Sequence, residues 1–313
     1  LRLFLLLIAL FVLSVLSLFV GIKSISIVDI LHWTSEDWMI LTLSRLPRTL
    51  AVLLTGIGIS ICGLIMQQMT QNKFVSPTTA GTLEAAKLGI LGAIVCIPQY
   101  GALYKLIFAF LVTFIASVIF LKIADRIRHK SIIFIPVLGL LFGGVIKSIT
   151  TFFAFQFNIV QDTETWLIGD FSGVLQGNYE VIFICLPIVI ITYLYANKFT
   201  VVGMGESFSK NLGLDYRGVL LIGLLCISLT VSAIAVTIGT IPFLGLIIPN
   251  VVSLLYGDNL RKTLPYTAVI GALFVLVCDL LGRLIIYPFE VPIGMMVGLI
   301  GGLVFLILLI RKR

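Results

Sequence analysis

Apolar residues run in blocks of about 20 along the chain, the length a helix needs to cross a hydrocarbon core of roughly 30 Å. The blocks are separated by short stretches rich in Gly, Asn, Lys and Arg. None shows the sustained period-two alternation of an outer-membrane barrel strand. Lipid offers an open backbone no hydrogen-bond partners, so helices are the predicted spanning elements. The blocks predict ten helices, at about 3–22, 48–68, 82–97, 102–123, 132–155, 181–197, 217–238, 242–256, 264–286 and 292–310. The third and eighth are short and interrupted by Gly or Pro. The first is too long for a signal-peptide core and has no small-residue cleavage site, so it reads as helix 1. The expectation is an all-α polytopic membrane protein, one transmembrane domain over residues 1–313.

Loop charge gives an expected orientation, because short loops rich in Lys and Arg stay cytoplasmic. The segments "KIADRIRHK" (122–130), 198–217, Arg261-Lys262 and the tail Arg311-Lys312-Arg313 fall on one side when ten helices are threaded. The other side holds Asn158 to Glu180, with four acids and no base. Both termini are then cytoplasmic. Trp166 in the acidic segment reads as an interface anchor. Three arginines break the pattern: Arg45, Arg48 and Arg283 are assigned to the outer side. In "LSRLPRTLAVLLTG", Leu43 to Gly56, the proline between Arg45 and Arg48 suits a helix start and would present both guanidiniums at the rim.

Composition agrees with the pattern. Sixty per cent of the 313 residues are apolar and 11% are charged, against roughly half and about a quarter in soluble domains. The net charge of +7 reflects the cytoplasmic loops rather than a nucleic-acid partner. The five cysteines all sit inside apolar runs without C-x-x-C spacing and read as packing residues.

Catalytic signatures are missing. No G-x-x-x-x-G-K-[ST] loop occurs, so the chain is not expected to hold ATP. No H-E-x-x-H or G-x-S-x-G occurs, and His32 and His129 lie far apart, so a metal-dependent intramembrane enzyme is not expected. Charge inside apolar runs is costly and usually functional. The set is Glu84, Lys87, Lys147, Asp279, Arg283 and Glu290. Glu84 and Lys87 are three apart, and Asp279 and Arg283 four apart, so helical ion pairs are the plain reading of both. Lys147 is expected to snorkel outward. Small residues recur at helix-packing spacing in Gly139-x-x-x-Gly143 and Gly294-x-x-x-Gly298-x-x-x-Gly302, and packing within the subunit is the plain reading of each. Between Val201 and Gly218, an amphipathic stretch from Glu206 to Leu214 is bounded by Gly205 and Gly213. It reads as a short helix on the cytoplasmic face, or as a solvated linker helix.

Two blocks then become specific. "RLPRTLAVLLTGIGISICGLIMQQMTQNKFVSP" resembles the R-x-P-R … G … G-x-x-x-Q … N-P-x-x-x-P block of the FecCD-type permeases. These are the BtuC-like membrane subunits of ABC importers for iron–siderophore complexes, haem and vitamin B12. "GTIPFLGLIIPNVVSLLYGDNLRKTLPYTAVIGALFVLVCDLLGRLIIYPFEVPIGMMVG" is similar to that family's second block. The resemblance covers essentially the whole chain after helix 1. It implies a type II importer permease of about ten helices in a bacterial cytoplasmic membrane, with ATP held by a separate ATPase subunit and no cofactor of its own. It implies that Arg45, Arg48 and Arg283 meet glutamates on an extracytoplasmic siderophore-binding protein. It implies that Gly205, Glu206, Leu212 and Gly213 belong to a coupling segment, about 201–217, seated on one of two ATPase subunits. A second permease, identical or different, would complete the path near helices 5 and 10. That makes Lys87, Lys147, Gly139, Gly143, Gly294 and Gly298 candidates for the path or the subunit interface. The chain departs from the pattern at Asn72-Lys73, at Pro249-Asn250 and at "GTLEAAKLG", where Glu84 and Lys87 stand among small residues. The expected cargo is a ferric siderophore, with the two lysines pointing to an anionic catecholate. Haem or vitamin B12 is the alternative, and an ion-coupled secondary transporter is the rival from another class.

Overall fold

The computed structural model describes residues 2–21, 34–99, 101–126, 133–161, 163 and 168–311. The expected positions of Trp166, His32 and His129 lie outside the described residues. Among the described residues the architecture is all-helical, with one isolated bridge between Ile168 and Thr240. The elements, in chain order, are α1 (Arg2–Phe19), α2 (Ser35–Met69), α3 (Thr82–Cys96), α4 (Ala102–Arg126), α5 (Phe134–Gln156) and α6 (Glu180–Leu194). They continue with α7 (Ala196–Val202), α8 (Glu206–Asn211), α9 (Tyr216–Thr237), α10 (Leu244–Tyr256), α11 (Leu260–Leu284) and α12 (Ile293–Arg311). Every apolar block of the sequence is a helix. Among the described residues six helices are long and apolar enough to cross a membrane, or seven if the bent α6–α7 pair counts as one; α10 and α12 are shorter apolar helices.

Two boundaries differ from expectation. The second helix begins at Ser35, capped by the Thr34–Asp37 capping box, and not near residue 48. It runs through Pro47 by widening into a π turn over Leu41–Arg45, in which the Leu46 N–H reaches the Leu41 carbonyl. A proline has no N–H to give the carbonyl four residues back. That carbonyl, on Leu43, instead accepts the N–H of Gln176 at 2.9 Å. The orphan created by Pro47 thereby ties the helix to a distant loop. The sixth block breaks at Tyr195, with α6 and α7 bent 65° apart.

α2 is the central helix, with 83% of its most apolar window buried. α9, α10 and α11 pack around it, while α3 packs against α4 and α5. Close approach depends on glycine. A Cβ on Gly63 would lie 1.8 Å from the Gly245 carbonyl oxygen, so α2 and α10 cross nearly backbone to backbone. Four of the cysteines, Cys62, Cys185, Cys226 and Cys278, are buried free thiols, and Cys96 is exposed at the end of α3. By contrast only 6% of the apolar window of α1 is buried, and its outward face is a row of large apolar side chains suited to lipid.

The helix ends gather on two rims. One collects the end of α1, Arg45 and Arg48, the segment 168–176, the α9–α10 turn and the α11–α12 loop. Bonds from Gly294 N–H to the Gly169 carbonyl and from Asp170 N–H to the Ile238 carbonyl join these pieces. The opposite rim collects the end of α2, α7, α8, the start of α9 and the α10–α11 turn. There Lys73 pairs with Asp258 at 2.8 Å and donates to Ser253 at 2.9 Å.

Candidate functional site

The first rim carries a compact charge cluster. Asp279, on the last turns of α11, is buried and accepts from two arginines at once. Arg48 donates to its Oδ1 from Nη2 at 2.8 Å, and Arg283, one helical turn away, donates to its Oδ2 from Nη2 at 2.5 Å. The other fork of Arg48 pairs with Glu290 at 2.7 Å. Glu290 stands on the loop after α11, which the Val291 N–H hooks back onto the Gly282 carbonyl. Arg283 also donates to the carbonyls of Ser17 and Val20, at 3.1 and 2.8 Å. Arg45 donates to the Leu18 carbonyl at 2.7 Å. The free carbonyls at a helix C-terminus are natural acceptors for cations, and two arginines here dock α1 onto α2 and α11.

This corrects one expectation. Arg45 and Arg48 are expected as guanidiniums presented at the rim, and Arg283 in an ion pair with Asp279, which the structure contains. The structure brings all three together, but buries them: Arg45 is 7% exposed, Arg283 6%, and the Arg48 side chain 14%. The physical reason is the neighbouring chemistry. Two carboxylates and three α1 carbonyls lie within reach, and burying an ion is tolerable when it is paired and hydrogen-bonded.

The second rim carries the opposite arrangement. α8 is one short turn-and-a-half between Gly205 (φ +108) and Gly213 (φ +72), both in backbone conformations that favour glycine. The Ser209 hydroxyl fastens it inward by donating to the carbonyls of Val201 and Gly205, at 3.0 and 2.8 Å. Met204, Phe208 and Leu212, spaced by four, are 57%, 48% and 61% exposed. Glu206 and Lys210 form an exposed i,i+4 pair at 2.8 Å. The apolar side chains and the charged pair thus stand side by side on the exposed surface of this rim.

The charges inside apolar runs form a third group. Glu84 and Lys87 pair at 2.9 Å on α3. They share a small crevice with Lys147, Thr150 and Thr151 of α5 and with Thr163. Lys147 is exposed at the mouth of that crevice.

The glycines of α5 and α12 pack closely within the chain, the plainer of the two expectations for them. A Cβ on Gly139 would meet the Thr79 carbonyl oxygen at 2.0 Å, and one on Gly143 the Gly81 Cα at 3.2 Å. On α12, a Cβ on Gly294 would meet the Gly169 N at 3.0 Å and one on Gly298 would touch Pro242 at 3.6 Å. These glycines admit the chain's own loops.

Comparison with known proteins follows the geometry. The chain matches the FecCD transport family over residues 6–311. It belongs to that family. Among FecCD relatives, the petrobactin import system permease protein YclN of Bacillus subtilis (strain 168) is 48% identical over 306 residues, covering 98% of this chain and 97% of the relative. The ferric-anguibactin transport system permease protein FatD of Vibrio anguillarum (strain ATCC 68554 / 775) is 43% identical over 308 residues, covering 98% of both chains. Among solved structures, a metal-chelate type ABC transporter in an inward-facing conformation superposes with a TM-score of 0.84 at 23% identity, over 99% of both chains. At that identity the likeness speaks for the fold alone, and it agrees with a FecCD permease built throughout from helices.

Several features of this FecCD chain had no signal in the sequence. Nothing in the spacing announces that the carbonyls of Ser17, Leu18 and Val20 hold Arg45 and Arg283, because backbone acceptors leave no residue-type signature. Lys105 and Asp170, both lining a larger cavity beside the Glu84–Lys87 pair, are likewise brought there only by the packing of α3, α4, α5 and α9. The one available hint was the departure from small residues at Glu84 and Lys87.

Proposed function

We propose that this chain is the transmembrane permease subunit of an ABC importer that brings a ferric siderophore across the cytoplasmic membrane of a bacterium. The observation that carries the reading is near-full-length identity of 48% and 43% to two siderophore-system permeases. Ten crossings, with both termini cytoplasmic, fit the two-rim sorting of the helix ends and the basic loops on the α8 rim. The charge-cluster rim is then extracytoplasmic and the α8 rim faces the cytosol.

A separate ATPase supplies the energy. The exposed Met204–Phe208–Leu212 stripe, with Glu206 at the start of α8 and hinges at Gly205 and Gly213, is the surface that seats on it. On the outer rim a siderophore-binding protein docks, and a second permease completes the path. Burial changes how the arginines take part. Arg48 is the member with a labile partner, because Glu290 is partly exposed while Asp279 is not. A carboxylate on the docking protein can replace Glu290 on that fork of Arg48, whereas Arg45 and Arg283 shape the platform by holding α1.

The test is reconstitution of the permease with its ATPase in lipid, with a loaded binding protein outside. Ferric-siderophore-stimulated ATP hydrolysis and ATP-dependent iron uptake are expected. Uptake that survives ATP depletion but stops with a proton ionophore would replace this reading with an ion-coupled transporter.

A further inference from the structure

A cavity of about 310 Å³ opens between α3, α4, α9 and the segment 168–173 on the charge-cluster side. It lies at the small end of the range for pockets that hold drug-sized ligands, roughly 300–1,000 Å³. Its walls are apolar where Ile90, Leu91 and Ile94 of α3 face Ile238. Polar groups converge at the edges. Lys87 stands on α3, Lys105 on the first turn of α4, Thr150 on α5, and Asp170 with Ser172 on the loop. Lys87, Thr150 and Thr163 line both this cavity and the adjoining crevice that holds Glu84 and Lys147, so the two share a wall and are treated together as one recess.

The charges in the recess are unequal. Glu84 is matched by Lys87 at 2.9 Å. Asp170 is occupied within its own loop, accepting from the Ser172 N–H at 2.9 Å and from the Ser172 hydroxyl at 2.5 Å. Lys105 and Lys147 form no ion pair among the described residues. Three ammonium groups, of which Lys87 is paired with Glu84, therefore share the recess with two carboxylates, leaving Lys105 and Lys147 without an ion-pair partner among the described residues and one net positive charge between apolar walls. Such walls strengthen the attraction of an unpaired cation for an entering anion.

We propose that this recess is an anion site that admits one negatively charged arm of the ferric chelate, a catecholate or carboxylate ring system, and sets a preference for anionic over neutral chelates. The ring would lie between Ile90, Ile94 and Ile238, with its oxygens toward Lys105 and Lys147. The cavity is too small for an entire chelate, so the arm enters while the iron centre stays at the mouth. This inference rests on the siderophore reading above, since it names the charge class of that cargo.

The probes are a trianionic ferric tris-catecholate and a neutral ferric tris-hydroxamate, each equilibrated with the purified importer in lipid nanodiscs and quantified by iron absorbance. Wild type is expected to retain the trianionic probe preferentially. Lys105→Gln combined with Lys147→Gln is expected to reduce that preference on the order of tenfold, the scale of a lost charged hydrogen bond. Both positions are at least partly open to solvent, and a second measurement on wild type needs no variant: raising salt is expected to reduce the preference in the same direction. No preference in wild type, or a preference unchanged in the double variant, would overturn the anion site. Uptake is read separately. If the anionic probe binds through the lysines but no ferric chelate is ever transported, the cargo assignment fails and the site stands. If chelates are transported with no lysine dependence, the site alone fails.

Discussion

The charge cluster around Asp279 and the short helix α8 are both motif-bearing regions, yet they spend their polar groups in opposite ways. In the cluster, Arg45, Arg48 and Arg283 turn inward and donate to Asp279, Glu290 and the carbonyls at the end of α1, while the buried Arg283 Nε has no hydrogen-bond partner among the described residues. Around α8 the Ser209 hydroxyl bonds inward, and Met204, Phe208, Leu212, Glu206 and Lys210 are exposed. The lesson is that a recurring motif can mark a joint as readily as a docking surface. Burial distinguishes the two: a buried ion whose partner is removed costs several kcal/mol, while an exposed pair contributes little.

That contrast can be broken from the cluster side first. Asp279→Ala leaves Arg48 and Arg283 buried without their shared carboxylate, and a loss of about 3–5 kcal/mol is expected. It should appear as a collapse of monodisperse protein in detergent chromatography; normal yield and melting temperature would show that the cluster is not a structural joint. Gly63→Ala tests the backbone crossing of α2 and α10. With the Gly245 oxygen 1.8 Å from the new Cβ, overpacking of about 1–3 kcal/mol or more is expected, read as a lowered melting temperature.

On the α8 side, replacing Met204, Phe208 and Leu212 together by Ser should leave the yield near wild type and abolish co-purification of the ATPase. Retained co-purification would remove the stripe from the interface. The smallest stability change belongs to Glu206→Gln, which removes one exposed pair and should shift stability by no more than about 0.5 kcal/mol, measured by thermal melting, while lowering substrate-stimulated ATP hydrolysis. Between the extremes lies Glu290→Gln. It leaves Arg48 bonded to Asp279, so the fold should persist, and a change in binding-protein affinity measured by surface plasmon resonance would isolate the labile fork. Arg48→Glu is a poorer probe, because it places a carboxylate beside Asp279 and confounds folding with docking.

The sequence was most legible where the physics is local. The third block was expected at 82–97 and is Thr82–Cys96; the seventh was expected at 217–238 and is Tyr216–Thr237. The i,i+3 and i,i+4 pairs Glu84–Lys87 and Asp279–Arg283 were legible for the same reason. Legibility failed where a distant segment decides. Pro47 reads as a helix start, because a proline ordinarily interrupts the bonding ladder. Here Gln176 supplies a donor to the Leu43 carbonyl, and a π turn carries the helix through. Gly139 and Gly294 read as helix-contact glycines, which they are, but their partners are the chain's own loops and not another helix face.

By itself the sequence determined that the protein is helical and membrane-embedded, where its apolar segments lie, and that it belongs with the FecCD permeases, because hydropathy, charge spacing and motif order are properties of the chain as written. Only the tertiary structure decided which of its charged groups face inward. Burial of an ion depends on how many acceptors the fold gathers around it. Those around Arg48 and Arg283 come from α1, from α11 and from the loop that follows it, brought together only when the helices pack.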